Sequence, residues 1–247
     1  FPADHLAQYR ASQTRMPRKI PTGAWRAPGS NTSAWLVQSF LHELSVAAGR
    51  GHAEMLDEIL ASVAPGDPPP VPAMAVFSRE RARNVLKTVV QRSGLGKRRL
   101  AKGRGLGLAF HYCHQGHIGE VAEVSVDKAR KVTVHKVWVV ADVGPIVNLA
   151  GAEAQVQGSV IDGLSTMAQE VTIEAGRIEQ KNFDAYPLAR MRVSPQIDVH
   201  FLDTDYPPTG LGEPALPPLA PAVCNAIFAA TGQRIRTLPI TREGYSL

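Results

Sequence analysis

Apolar residues recur at helical spacing in the first hundred positions. The spacing predicts a helix over 34–48, which residues 31–33 (Asn-Thr-Ser) cap and Gly49 ends. The expected inward stripe of this helix is Trp35, Val37, Phe40, Leu41, Leu44 and Ala48. Further helices are predicted over 52–63 and over 79–94, with Ser78 as the cap of the latter.

After residue 100 the pattern changes to alternation, which is typical of strands. Strands are predicted over 105–112, 118–126, 132–141, 197–202 and 235–238, with a hairpin over 171–174 and 177–179. Helices are predicted over 150–167, after Asn148, and over 215–231. The order favours a mixed α/β (α+β) fold in which a helix-rich part, 1–100, packs on a strand-rich part, 101–247.

Composition is that of a globular protein, with 247 residues, 44% hydrophobic residues and a net charge of +5. The densest basic run, Lys97-Arg98-Arg99 with Lys102 and Arg104, has no aromatic residues between its charges. Nucleic acid is therefore not an expected partner. No apolar run approaches the ~20 residues of a membrane-spanning helix, so no transmembrane segment is predicted.

The two cysteines, Cys113 and Cys224, are too few and too far apart to hold an iron–sulfur cluster. Cys224 falls on the apolar face of a predicted helix, where we expect it to be packed. The chain begins Phe-Pro-Ala-Asp-His, which is neither an initiator Met nor a signal peptide. We therefore expect a processed product or one piece of a longer polypeptide.

Glu213 is the only charged residue between Tyr206 and Gln233. A carboxylate in such an apolar setting loses solvation, which suits a general base. Glycines around Leu211 and the proline after Glu213 would let the backbone approach a ligand and hold the carboxylate on a stiff turn. The alternative is that Glu213 only interacts with the dipole of the helix predicted to follow it.

Two further stretches carry binding chemistry. The loop 22–30 precedes a predicted helix, so its amides could face an anion and Arg26 could add a donor fork. Gln155 lies two turns into the helix after Asn148, and its amide offers both a donor and an acceptor to a heterocycle. An ordinary loop and an exposed glutamine are the alternatives.

Residues 111–117 contain His111, Cys113, His114 and His117, a set that raises a metal-site hypothesis. In an extended strand His111 and His117 would point one way and His114 the other. No carboxylate completes the set, and we predict no metal ligands among these side chains.

Several of these motifs resemble the molybdopterin-binding large subunit of the xanthine dehydrogenase and aldehyde oxidase family, most of all the isoquinoline 1-oxidoreductase beta-subunit type. They are Trp-Arg-Ala-Pro-Gly at 25–29, Asp-Val-Gly-Pro-Ile-Val-Asn at 142–148, Gln-Val-Gln-Gly at 155–158 and Gly-Glu-Pro at 212–214. Leu149 and Gln157 depart from the family's usual Pro and Glu. The family's Gly-Gly-Gly-Phe-Gly-Gly and Gly-Gln-Gly motifs are missing, so the resemblance is to the C-terminal part of that subunit.

The resemblance implies roles for individual residues. Glu213 is implied as the catalytic base beside molybdenum. Arg26, Ala27, Gln155 and Gly212 are the implied cofactor-binding positions, and Trp25 and Pro28 the implied substrate-pocket positions. Pro28 stands where xanthine-oxidising members carry an aromatic that stacks on a purine, which favours another substrate.

The resemblance also implies an assembly. Its cofactor would be molybdopterin, in a cytosine dinucleotide or other form, and the reaction the oxidative hydroxylation of an aldehyde or N-heterocycle. The implied partners are the N-terminal part of the molybdopterin subunit, a separate subunit with iron–sulfur clusters, and an acceptor such as a cytochrome c. A periplasmic location is expected, with the cytoplasm as the alternative. The competing hypothesis is a non-catalytic structural fragment or subunit.

Overall fold

Five α-helices, six strands and two short 3-10 helices (Met191–Val193 and Ile240–Glu243) form the regular structure of the described residues. The computed structural model describes residues 8, 10–12, 14, 16–17, 21–62 and 77–247. The helices are α1 (Ser30–Ala47), α2 (His52–Ala61), α3 (Arg79–Ser93), α4 (Leu149–Met167) and α5 (Leu219–Thr231). The strands are β1 (Arg104–Cys113), β2 (Gly116–Val126), β3 (Val132–Asp142), β4 (Ile173–Glu174), β5 (Arg177–Ile178) and β6 (Gln196–Phe201).

Four of the strands form one sheet in the order β1-β2-β3-β6. The first three are antiparallel neighbours, whereas β6 runs parallel to β3. A parallel neighbour needs a crossover connection, and α4 with the small β4–β5 hairpin supplies it. The mixed α/β class predicted from the sequence is confirmed.

Helices cover both faces of this sheet. The apolar residues of α2 and α3 pack with Phe110 and Trp138 on one face. Those of α4 and α5 pack with Val139 and Ala141 on the other. A sheet buried on both faces explains why β3 is almost continuously apolar near its end. The division at residue 100 into two parts stays a prediction.

The orientation of α1 differs from the predicted stripe. Its buried residues are Ala34, Gln38, Leu41 and Ser45, whereas Phe40 and Leu44 are 61% and 44% exposed. The cause is Gln38, whose Oε1 accepts a hydrogen bond at 3.0 Å from the main-chain N–H of Phe110 on the edge strand β1. Satisfying that N–H turns the helix away from the face that apolar spacing alone selects.

Two other predicted elements are wrong in extent. The last helix begins at Leu219 instead of 215, because Pro217 and Pro218 precede it. Residues 235–238 form no strand. The N–H groups of Arg236 and Thr237 instead donate to Oε1 of Glu243, at 2.7 and 2.6 Å. A side chain therefore takes the hydrogen bonds that a neighbouring strand would have supplied.

Local capping signals were reliable at two helix starts. Oγ of Ser78 accepts from the N–H of Arg81 at the start of α3. Oδ1 of Asn148 accepts from the N–H of Gly151 at 2.9 Å at the start of α4. The cap predicted at 31–33 is wrong, since α1 begins at Ser30 after Gly29, which has φ 78°.

Candidate active site

The loop before α1, the first two turns of α4 and the Gly-Glu-Pro loop meet at one place. Arg26 joins them, because its Nε donates to the main-chain oxygen of Gly212 at 2.5 Å. Its Nη2 donates to the main-chain oxygen and to Oε1 of Gln155, at 3.1 and 3.3 Å. The third guanidinium nitrogen lies 3.8 Å from Oδ2 of Asp162. The guanidinium of Arg26, which was expected to add donors for an anion, therefore binds other residues of the chain.

Glu213 is held at both carboxylate oxygens. Its Oε1 accepts a hydrogen bond from the main-chain N–H of Ala27 at 3.1 Å. Its Oε2 lies 2.7 Å from Nε2 of His114. The side chain is 37% exposed, so it remains open to solvent in spite of its apolar neighbours in sequence. A held but accessible carboxylate can still exchange a proton with a ligand.

The alternative role of Glu213 at a helix start is excluded by the position of α5. This helix begins at Leu219, and no acidic residue lies in its first turn. One amide of the loop 22–30, whose amides were expected to face an anion, faces a carboxylate of the chain itself. The N–H of Ala27, a buried residue with φ 56°, points at the chain's own Glu213.

Sequence reasoning missed the contact between His114 and Glu213. Cys113 pairs with Gly116 across β1 and β2, so His114 and Gln115 form a two-residue turn. Both have positive φ, 50° and 64°, as the type I′ hairpin turn requires. The extended strand assumed over 111–117 was therefore wrong. The short gap between the strands was the available signal for a tight turn.

The hairpin tip reaches Glu213 because of Gly116. A Cβ added there would lie 3.2 Å from Cβ and Cγ of Pro214 and from a methyl carbon of Val143. The same loop is tied to the end of β3, since the N–H of Thr209 donates to the main-chain oxygen of Val143 at 2.9 Å. These contacts fix the Gly-Glu-Pro loop between the sheet and the hairpin.

His117 and Cys113, which also raised the metal-site hypothesis, have buried surroundings. Nε2 of His117 accepts from the N–H of Ser78 at 3.1 Å. Burial, helped by the charge of Arg81, lowers the pKa of His117 to about 3. Burial likewise raises the pKa of the Cys113 thiol to about 11. Across the described part of the chain, no three His, Cys, Asp or Glu side chains form a group that could hold a metal.

The predicted substrate-pocket residues lie apart from these contacts. Trp25 is 46% exposed and lines a cavity of about 300 Å³ whose walls do not include Glu213. The cavity is lined mostly by apolar groups, among them Trp35, Met167, Leu216 and Pro217. Pro28 is exposed. The assignment of Trp25 and Pro28 to a substrate pocket stays a prediction.

The described geometry agrees with the comparisons with known proteins. Residues 74–195 match the family model described as a molybdopterin cofactor-binding domain. The beta chain of isoquinoline 1-oxidoreductase from Brevundimonas diminuta is 31% identical over 205 residues, which make up 81% of this chain and 26% of that protein. A nicotinate dehydrogenase subunit of Pseudomonas putida is 39% identical over 151 residues, 57% of this chain and 13% of that protein.

This chain belongs to the molybdopterin-binding subunits of the xanthine dehydrogenase and aldehyde oxidase family. A membrane-bound aldehyde dehydrogenase of Gluconacetobacter polyoxogenes is also similar, at 29% identity over 238 residues, 94% of this chain and 30% of that protein. The chain thus spans 13–30% of the length of these three family members. No helix in the described ranges combines the length and apolar character needed to cross a bilayer.

A solved family structure shares the fold. Aldehyde oxidoreductase of Desulfovibrio gigas superposes with a TM-score of 0.67 over 90% of this chain and 40% of that protein, at 14% identity. The prediction of a family fold from the motifs is therefore confirmed, whereas the roles of individual residues stay predictions.

The exposed groups of the site fit the family's cofactor. Gln155 is exposed, and among the described residues its amide nitrogen has no hydrogen-bond partner. Gly212 is also exposed, and the nearest atom to a Cβ added there is Oε1 of Gln155, at 3.9 Å. A free amide donor beside open backbone suits the edge of a polar heterocycle, which needs donors and close approach.

Proposed function

We propose that this chain is the C-terminal part of the catalytic subunit of a molybdenum hydroxylase. The observation that carries the proposal is the position of Glu213, which is held at both oxygens yet accessible beside Gln155 and Gly212. A base must be fixed and must also reach the proton that it removes. The substrate class is an aldehyde or an electron-poor N-heterocycle.

The reaction replaces a carbon–hydrogen bond of the substrate by a carbon–oxygen bond, with water as the oxygen source and release of two electrons and two protons. When bound, the molybdenum cofactor supplies the oxygen to be transferred and accepts the two electrons. Glu213 takes the proton from the hydroxyl group that attacks the substrate carbon. The N–H of Ala27 holds the carboxylate in place during this transfer.

Gln155 and Gly212 are proposed to contact the cofactor directly, through the free amide group and the open backbone. Ala27 and Arg26 are proposed to line the same site. Arg26 supports it from behind, since its donors bind Gly212 and Gln155. Trp25 and Pro28 are proposed to border the substrate.

Further polypeptide is proposed to complete the site. The chain spans less than a third of the length of its relatives. An apolar strip on α1, formed by Leu36, Phe40 and Leu44, is 44–61% exposed. Such a strip on one helix face is typical of a protein contact. The N-terminal part of the molybdopterin subunit, in the same or a separate chain, is its proposed occupant.

Electrons are proposed to leave through iron–sulfur clusters on another subunit, because the chain's two cysteines are both buried and free. The finer assignments are a cytosine dinucleotide form of the cofactor, a cytochrome c or other final acceptor, and a periplasmic location. They are supported by the family resemblance only.

The test is elemental analysis of natively purified material that retains every co-purifying chain. Stoichiometric molybdenum, with turnover of an aldehyde or N-heterocycle, is the expected result. Glu213→Gln should then lower kcat by ~10⁴-fold, whereas Glu174→Gln on the exposed hairpin β4–β5 should not. Absence of molybdenum would support the structural-fragment alternative. Full activity of Glu213→Gln in the molybdenum-containing enzyme would contradict the role of Glu213 as the base.

A further inference from the structure

We propose that His114 is a positioning residue for Glu213. The inference rests on the proposed function, because it concerns the orientation of the proposed base. The distance of 2.7 Å between Nε2 of His114 and Oε2 of Glu213 is that of a strong hydrogen bond. An ionised carboxylate only accepts hydrogen bonds, so Nε2 of His114 carries the hydrogen and its N–H donates the hydrogen bond to Oε2 of Glu213.

The two hydrogen bonds on Glu213 come from different parts of the chain. Ala27 lies in the loop before α1, whereas His114 lies in the turn between β1 and β2. Together they hold both oxygens and thereby fix the rotation of the carboxylate. One bond alone would leave the group free to turn about its last torsion, which has a broad rotational preference.

The backbone supports this role. His114 has φ 50°, a left-handed conformation that costs free energy in a non-glycine residue. A glycine at this turn would avoid that cost but would supply no donor. Gly116 beside it lets the turn pack on Pro214, the residue after Glu213. The hairpin is therefore built to carry a side chain to the carboxylate.

The chain offers a matched control in the same turn. Gln115 also has positive φ, 64°, whereas the polar partners of the Glu213 carboxylate among the described residues are Ala27 and His114. Gln115→Ala therefore changes the same turn, with the same backbone cost, and leaves the hydrogen bond intact. His114→Gln is the conservative variant, because a glutamine amide can donate from about the position of Nε2.

The experiment uses the complete, natively purified enzyme with equal molybdenum content in each variant. His114→Ala is expected to lower kcat by about 10- to 100-fold, since small misplacements of a catalytic group have effects of this order. KM should change much less than kcat. His114→Gln should restore most of the lost kcat, and Gln115→Ala should resemble the unmodified enzyme.

Crystal structures of these variants give a readout independent of turnover. The carboxylate of Glu213 should rotate in His114→Ala and keep its orientation in His114→Gln and Gln115→Ala. Equal kcat losses in His114→Ala and Gln115→Ala, or an unmoved carboxylate in His114→Ala, would overturn the proposal. Full activity of Glu213→Gln would instead contradict the proposed function, while the crystal structures would still report on the hydrogen bond.

Discussion

Nε of Arg26 donates a hydrogen bond to the main-chain oxygen of Gly212, although 186 residues separate the two positions. The same guanidinium binds two oxygens of Gln155 on α4. The residue before Glu213 is thus anchored to a helix that packs in the core. The rigidity of the proposed base depends on a side chain that needs no contact with the substrate.

The first prediction concerns this anchor. Arg26→Lys should lower kcat by about tenfold, because an ammonium group cannot bind Gly212 and Gln155 with a planar fork. The measurement is steady-state kinetics of the natively purified enzyme at equal molybdenum content. Arg190→Lys, at an exposed position, is the matched control. Unchanged kcat in Arg26→Lys would mean that the anchor is not needed for catalysis.

Local signals account for the elements that were predicted well. The caps at Ser78 and Asn148 act within three residues, so the sequence contains the whole interaction. The burial of Gln38 depends on Phe110, 72 residues away, and no periodicity can report it. The last segment is similar, since Glu243 folds back and binds the N–H groups expected to form a strand.

The candidate site likewise contains some residues that the sequence indicates and others that it does not. Motif resemblance selected Arg26, Gln155, Gly212 and Glu213, and the structure brings all four together. It did not select His114, because that contact depends on a turn geometry specific to this hairpin. The donor from Ala27 was also unpredictable in its target, since a main-chain N–H carries no sequence signal.

The second prediction concerns the buried ion pair between Arg81 and Asp142. Nη2 of Arg81 lies 2.7 Å from Oδ1 of Asp142, and both side chains are at most 8% exposed. Burial works against the charged carboxylate, but hydrogen bonds from Arg81 and Thr204 outweigh it and lower the pKa of Asp142. Arg81→Leu should lower the free energy of unfolding by about 3–5 kcal/mol, because it leaves a buried charge without its partner.

The chain supplies a control for this pair. Arg83 binds Asp57 through two hydrogen bonds, at 2.8 and 2.9 Å, in a more exposed position. Arg83→Leu should destabilise far less, since water screens exposed pairs. Melting of the two variants at pH 7 tests the difference. Equal melting temperatures would show that burial does not decide the strength of the Arg81 pair.

The third prediction concerns acid sensitivity at His52. Both of its ring nitrogens are buried and, within the described residues, have no hydrogen-bond partner. Burial, together with the charges of His42 and Arg234, lowers the pKa of His52 from 6.5 to about 3. The unfolded chain therefore binds a proton below pH 6.5 that the folded chain binds only near pH 3.

This difference in proton binding makes the folded protein less stable at acid pH. The stability that neutral His52 contributes is complete above pH 6.5 and is lost as the pH falls toward 3. The loss is at most about 1.4 kcal/mol per pH unit. His52→Leu should therefore lose less stability than the unmodified protein between pH 7 and pH 5, as measured by melting. Leu56→Met, a core change without a titrating group, should track the unmodified protein at every pH.

The last prediction concerns the close approach of α5 to β1. A Cβ added to Gly107 would lie 2.2 Å from the main-chain oxygen of Ala222 and 2.2 Å from the main-chain nitrogen of Ala226. Main-chain atoms of a helix cannot yield separately, so Gly107→Ala should push α5 off the sheet and destabilise the fold by about 3 kcal/mol or more. Because Glu213 lies just before α5, kcat should fall in any soluble material that remains.

Gly23→Ala is the control, since nothing lies within 4 Å of a Cβ added there. A Gly107→Ala enzyme that melts and turns over like the Gly23→Ala enzyme would contradict the close packing of α5 on β1.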